Sequence, residues 1–419
     1  MAEADRPVRP GPRRLREARV VRLLTHGMFG LYLISSSVSQ TGTWIHRVAM
    51  MLLIWDMTQS ALWLGLFAMA DLMPILVIGP LAGAAADRWS RLMLTKATQW
   101  AQLAVALVLG ILAVTGVNLP LLMLLALAQG CAIAVNQPAR MALIHSLAGR
   151  DDLGTAVALS SVSINTTRLI GPAIAGLLLL YVDVYWLFFL NVALTAVFIF
   201  VLGRIRINSA QTQPASGSML ELMLDGLRFA MHDRQIRILL VLLFIGGGTT
   251  RSMLELFTVF ADAKFETTSS GLAVLTSSMA AGSMIAGLTL SIFNQQAALG
   301  RRISIAWGCG GVALAVLVIS AHPVAIIAAA VATGYFVTSS VINTQTYVQL
   351  ASPDALRGRV LSVHGVVLRA SPALGALLAG LAIDRFGLLT PVLICCAVCF
   401  GAAVTALLVH RQGTPPLRQ

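Results

Sequence analysis

Six charged residues stand inside runs of sequence that are otherwise apolar: Arg47, Asp71, Arg168, Arg251, Glu255 and Arg369. A charge in an apolar segment is costly, and it marks either a functional pathway or a paired structural role. A carboxylate in a low-dielectric cavity holds a proton readily unless an arginine pairs with it. Asp71 is therefore the first candidate for reversible protonation and Glu255 the second. Four arginines against two acids leave the set net positive, which suits a ligand that is anionic or strongly hydrogen-bonding. Structural readings stand beside these. Arg251 and Glu255 are four apart and can neutralise each other as a local helical pair. Asp71, Arg168 and Arg369 can serve as buried hydrogen-bonding or packing residues. His46 and His364 fall near the expected ends of their segments and are set aside as proton carriers.

Other chemistries find no support. No His/Asp/Ser constellation occupies a loop, and no Gly-x-x-x-x-Gly-Lys nucleotide loop is present. The connections are too short for a catalytic domain, so neither an enzyme nor an ATP-driven pump is expected. Cys396 and Cys399 have the spacing of a redox or zinc pair. All five cysteines lie in apolar runs, however, and no His or Asp stands near that pair. A packing role is expected, with no disulfide, metal or cofactor.

The elements that must position the six charges follow from composition. The 419 residues are 58% hydrophobic and 11% charged, and mean hydropathy is +0.84. A soluble domain carries about 25% charged residues, so this chain cannot cover a water-facing surface. Long unbroken apolar runs such as 119–134 exclude the alternation of an outer-membrane barrel. A span needs about 20 residues, and the expected spans are 23–50, 60–86, 93–115, 119–142, 156–181, 184–203, 237–261, 270–292, 302–320, 323–349, 359–383 and 389–409. The fold class is thus an all-α polytopic membrane protein with twelve transmembrane helices. The net charge of +12 reflects arginines gathered on alternate connections, which places both termini in the cytoplasm and argues against nucleic acid as a partner.

The expected organisation is a basic arm over 1–22, a six-helix bundle over 23–203, a cytoplasmic linker over 204–236, a second bundle over 237–410 and a tail over 411–419. Within the linker, 208–218 is rich in Ser, Gln, Pro and Gly, and 220–232 has helical spacing with Glu221, Asp225 and Arg228 on its polar side. The bundles repeat. Leu169–Gly176 aligns with Ala373–Gly380, and Arg150–Leu153 with Pro353–Leu356, at offsets of 204 and 203. An internal repeat across a polytopic chain is the mark of a transporter built from two related bundles.

Two motifs carry a resemblance. Gly83-Ala84-Ala85-Ala86-Asp87-Arg88-Trp89-Ser90-Arg91 resembles the loop signature of the major facilitator superfamily, with Ser90 in place of a Gly and Leu92 in place of a basic residue. The resemblance implies that Gly83, Asp87, Arg88 and Arg91 form a conformational latch. Gly171-Pro172-x-x-x-Gly176 is similar to the superfamily's antiporter motif, with Thr167 where that motif often begins with Gly. Asn136–Arg140 with Arg150–Leu153, and Pro353–Val360, resemble the branch of enterobactin exporters and macrolide-efflux proteins. The fourth-span Arg-x-x-Gln-Gly pattern of the superfamily reads Ala126-Leu127-Ala128-Gln129-Gly130 here, without the arginine.

The resemblance covers about 20–410. It implies two pseudo-symmetric six-helix bundles in a bacterial inner membrane, working by alternating access. Spans one, four, seven and ten would line the central cavity. Helical spacing then brings Gln40, Trp44 and Arg47, Gln129 and Asn136, Arg251 with Glu255, and Tyr335 with Asn343 towards it, joined by Arg168 and Arg369. The expected function is proton-coupled export of a small organic molecule (a drug, siderophore or other natural product) by a monomer in the lipid bilayer, with protons as coupling ion. The alternatives are an uncoupled facilitator or importer of the same fold, favoured by the missing fourth-span arginine, and a non-transporting membrane scaffold.

Overall fold

A computed structural model describes residues 21–25, 28–79, 90–205, 219–292, 298–353 and 356–411. The helices are α1 (Met28–Thr58), α2 (Ala61–Leu72), α3 (Arg91–Thr115), α4 (Leu119–Leu178), α5 (Val184–Arg204), α6 (Met219–His232), α7 (Arg234–Thr249), α8 (Phe257–Lys264), α9 (Thr268–Ile292), α10 (Leu299–Ile319), α11 (Pro323–Ala351), α12 (Arg357–Phe386) and α13 (Leu389–Arg411). A 3₁₀ stretch, Arg251–Leu256, separates α7 from α8. No strand occurs among the described residues. Ten segments among them are long and apolar enough to cross a membrane. Of the twelve expected spans, the first (α1) and the fifth (the part of α4 beyond Gly149) fall outside that set: both are of spanning length, and both carry more polar residues.

Three boundaries differ from the sequence expectation, each for a local reason. Helix α1 runs to Thr58, eight residues past the expected end, because 51–58 contains no helix breaker. This places His46 well inside α1 rather than near its end. Helix α4 continues through the expected fourth loop and turns only at Gly149, whose φ of 71° is open to glycine and strained for other residues. The expected seventh span is interrupted. The run Gly246-Gly247-Gly248 followed by Thr249 and Thr250 weakens helix propensity, and the chain tightens into the 3₁₀ stretch. Two starts carry side-chain caps from the expected residue types: the Asn118 side chain accepts from Leu121 N at 2.9 Å, and that of Asp233 from Ile236 N at 2.8 Å.

The buried apolar residues show how the halves meet. At the end of the bundle where α1 finishes, a single core contains Ile45, Ile54, Leu64 and Phe67 from the first half together with Leu256, Phe260, Leu275 and Ile383 from the second. At the end where α1 begins, the cores are separate. Phe29, Tyr32, Leu143, Ile144 and Phe198 form one, and Ile236, Leu239, Trp307, Val360 and Val363 form the other. The halves are therefore sealed together at the Thr58 end and apart at the Met28 end. Large apolar side chains such as Leu124, Phe200 and Leu288 are exposed on the outside, as lipid-facing residues must be.

The repeated glycines make the seal. A Cβ at Gly176 would strike Ala273 of α9, and one at Gly380 would strike the Ala61 carbonyl of α2. Each half thus closes on the other through the same position of the repeat, where only glycine lets two helices approach so closely. Five residues earlier in each repeat, Gly171 makes room for Trp44 of α1 and Gly375 for the backbone of Gly248. Helix α6 rests on the start of α12, with Arg359 Nη1 donating to Asp225 Oδ2 at 3.0 Å.

Candidate functional site

Between the halves lies a cavity of about 240 Å³, lined by α1, the segment 67–75, α3, α4, Phe198 of α5 and a single residue of the second half, Arg369. Its lining runs from Asp71 and Arg47 near the sealed end to Arg140, Met141 and Ile144 towards the separated end.

Arg47 is the centre of the site. Its Nη1 lies 3.0 Å from Asp71 Oδ2, and its Nη2 donates to Glu255 Oε2 at 2.6 Å. Side-chain exposures of 17%, 13% and 14% leave these three residues little water for screening. The fork of one guanidinium thus holds two carboxylates, one from each half. Local backbone chemistry aims both acids. Asp71 is the penultimate residue of α2, which is interrupted at Met73 before Pro74. Proline lacks the N–H that would continue the ladder. Gly130 of α4 lets the Ala70 carbonyl approach there, since a Cβ would strike it. Glu255 lies in the 3₁₀ stretch, and the tighter winding breaks its expected pairing with Arg251. At three residues per turn, positions four apart point about 120° away from each other.

Arg251 consequently serves another purpose. Its Nη1 donates to the Leu368 carbonyl at 2.9 Å. That carbonyl is the one four residues before Pro372, which has no N–H to give it. Arg251 satisfies this carbonyl of α12 and does not line the cavity. Tyr335 and Asn343 also lie outside the lining. Tyr335 packs edge-on against Phe336, with its hydroxyl 3.5 Å from Thr289 Oγ1, and Asn343 donates to Ser339 at 3.3 Å. The cavity expected from four helices is thus built mainly by the first half, because α11 turns these polar groups into its contacts within the second.

The remaining expected residues converge. Gln40, Trp44, Gln129, Asn136, Arg168 and Arg369 all line the cavity. The Arg168 guanidinium lies 5.4 Å from the Trp44 ring and that of Arg47 lies 5.7 Å from it, so one indole carries two cations. Asn136 donates to Thr98 Oγ1 at 2.7 Å. Gln129 is 4% exposed, and neither of its amide atoms has a partner. Arg369 donates to Gln137 Oε1 at 3.3 Å, across the halves. His46 also lines the cavity, its ring edge-on to Phe188 at 5.1 Å. Sequence reasoning passed over Arg140, Gln99, Gln102 and Gln137 as lining residues. The spacing of Asn136 and Arg140, four apart on α4, was the available signal. Of the loop motif, Gly83, Asp87 and Arg88 lie outside the described residues; Arg91 begins α3 and donates to Ser146 Oγ at 3.0 Å.

The sealed end has its own polar tie. The start of α2 receives no cap from its own Ser60. Asp384, from the end of α12, takes that role across the halves. Its carboxylate accepts from Ser60 Oγ, from Ala61 N at 2.7 Å and from Leu62 N at 3.2 Å. Loss of a helix cap costs about 1 kcal/mol, so Asp384→Ala is expected to loosen this end. Spin labels at Gln59→Cys and Arg385→Cys should report an added population at longer distance. An unchanged distribution would remove Asp384 from the seal.

A family model described as transmembrane secretion effector matches residues 21–417. The chain belongs to the major facilitator superfamily. Within it, the staphyloferrin A transporter of Staphylococcus aureus (strain NCTC 8325 / PS 47) is 26% identical over 84% of this chain and 89% of its own length. The multidrug efflux pump Tap of Mycolicibacterium fortuitum is 26% identical over 85% and 90%. Among solved structures, the nucleoside transporter NupG superposes with a TM-score of 0.73 at 13% identity, covering 92% of this chain and 99% of that one. A bacterial homologue of the iron transporter ferroportin, in an inward-facing state, gives 0.65 at 13% identity, covering 92% and 98%. These last two show the shared fold alone. The protein is a multi-pass membrane transporter of this superfamily, with the two-bundle all-α architecture that the name implies.

Proposed function

We propose that this major facilitator protein is a proton-coupled exporter of a small, acidic organic molecule, and that Arg47, Asp71 and Glu255 are its coupling centre. The observation that carries this reading is the Arg47 fork, which joins Asp71 on the cavity wall to Glu255 of the second half, outside the lining. With both acids ionised and the cavity empty, Arg47 ties the halves at the sealed end and holds the protein still. A proton on Glu255 or Asp71 removes one arm of the tie. An anionic cargo competes for Arg47 and removes an arm as well. Either event frees the halves to rock, and the two compete for one group, which is the condition for exchange of cargo against protons.

The Arg-rich connections lie at the Met28 end, so that end is assigned to the cytoplasm of a bacterial inner membrane. The separated end then admits cargo from inside the cell, the direction that export requires. The relatives named for staphyloferrin A transport and multidrug efflux support an acidic natural product, such as a siderophore, or a drug as cargo. Ala126 stands where many superfamily members carry an arginine in the fourth span, and this favours an uncoupled facilitator as the second reading. Collapsing the proton gradient in cells that express the protein separates the two. A coupled exporter stops extruding cargo, whereas a facilitator continues to equilibrate it.

A further inference from the structure

Arg47 holds two carboxylates, which leaves that group one negative charge in surplus when both are ionised, but it is not the only guanidinium in the cavity. Arg140, Arg168 and Arg369 line it too, and none has a carboxylate within ion-pair distance among the described residues. Uncompensated charge in such surroundings is costly; four guanidiniums against the carboxylates of Asp71 and Glu255 leave the site two positive charges in excess, which favours an anionic occupant.

The three are arranged in two stations. The first, near the sealed end, is Arg168 against Trp44, at the level where Gln129 presents an amide 4% exposed and without a partner. The second is Arg140, whose Nη2 donates to Ser36 Oγ at 2.7 Å while its Nε has no partner. Arg369 belongs to this station, because it bonds to Gln137, one turn from Arg140 on α4. Ser36 and Trp44 are eight residues apart on α1, so the stations stand roughly 12 Å apart along the helix.

We infer that the cargo is an organic dianion with carboxylate-type groups at two ends, one held by Arg168 beside Arg47, for which it competes with Asp71 and Glu255, and the other between Arg140 and Arg369. This rests on the transporter reading and names its substrate class. A single anion would satisfy one station and leave the other uncompensated. The planar guanidinium fork matches a carboxylate in two parallel bonds, and Ile133 and Ile164 of the lining offer apolar surface to the spacer between the ends. Arg140 comes from the first half and Arg369 from the second, so an anion between them draws the halves together at the Met28 end.

The test uses the full chain in nanodiscs and calorimetric titration with straight-chain α,ω-dicarboxylates of increasing length, each beside its monomethyl ester. Affinity should peak at the chain whose carboxylates span two helical turns, and its monoester should bind at least about tenfold more weakly, the scale of one lost charged hydrogen-bonded contact. In Arg168→Gln, and separately in Arg369→Gln, diacid and monoester should bind alike, while Arg168→Lys keeps a difference between them. Equal binding of diacid and monoester at every length by the parent chain overturns the proposal, and this arm needs no variant to fold. A length optimum without proton-driven transport sinks the coupling reading and leaves this one standing. Proton-driven transport without preference for diacids does the reverse.

Discussion

Replacing Arg47 with glutamine is expected to abolish transport and to lower the melting temperature of the purified protein. The substitution leaves Asp71 and Glu255 facing one another without the cation that each now contacts at 3.0 and 2.6 Å. Breaking a buried ionic group by removing one partner costs about 3–5 kcal/mol. Arg47→Lys should recover part of the stability and less of the activity, because an ammonium is a point charge and cannot fork to two carboxylates as a guanidinium does. The decisive variant is the triple substitution Arg47→Gln, Asp71→Asn and Glu255→Gln. It removes all three charges together, so its melting temperature should return towards the parent value while transport stays absent. Non-additivity of this kind separates an interacting group from three independent ones. If Arg47→Gln melts and transports as the parent does, the cluster has no role in either.

The second large effect concerns the acids. Glu255→Gln mimics a permanently protonated carboxylate and cuts the only arm of Arg47 that reaches the second half among the described residues. Asp71→Asn does the same for the first half. Each is expected to abolish accumulation of cargo against its gradient while the protein still inserts and folds. Exchange of labelled for unlabelled cargo, which needs rocking of the halves but no net proton movement, should persist within a few-fold of the parent. Full uphill transport by the double variant Asp71→Asn, Glu255→Gln would exclude both as coupling residues. Loss of exchange together with uphill transport would assign them to cargo binding.

The bundles, the repeat and most of the cavity were legible because each rests on a local pattern. Apolar run length marks a helix. The shared glycines of 169–176 and 373–380 marked the repeat, and the structure sets them in two seams of the same construction, at Gly176 with Ala273 and at Gly380 with Ala61. The buried charges stood out against their apolar neighbours, and Arg47, Asp71, Arg168 and Arg369 do meet at one cavity. Pairing was not legible. Spacing of four suggested Arg251 with Glu255, yet the chain there is 3₁₀, and Glu255 reaches a partner 208 positions away. No helical-wheel argument detects such a contact. Arg251 pointed to function and turned out to satisfy a carbonyl exposed by Pro372, a debt that becomes visible only once two helices are placed side by side. Arg140 was missed because the fourth span was ended at 142, which put that residue at a membrane face, whereas the helix runs on through the expected loop. Asp384 stands just past the expected end of the eleventh span at 383, and nothing local marks it, because its target, the uncapped start of α2, lies 323 positions away.

The most direct test of proton-coupled export is uptake into inverted membrane vesicles that carry the protein, energised by respiration and offered a panel of labelled acidic and neutral compounds, with and without a protonophore. The mechanism predicts that an acidic compound accumulates inside the vesicles, that the protonophore abolishes the accumulation, and that vesicles with Asp71→Asn and Glu255→Gln never show it. Accumulation that survives the protonophore, or that is unchanged when both carboxylates are replaced, would contradict it.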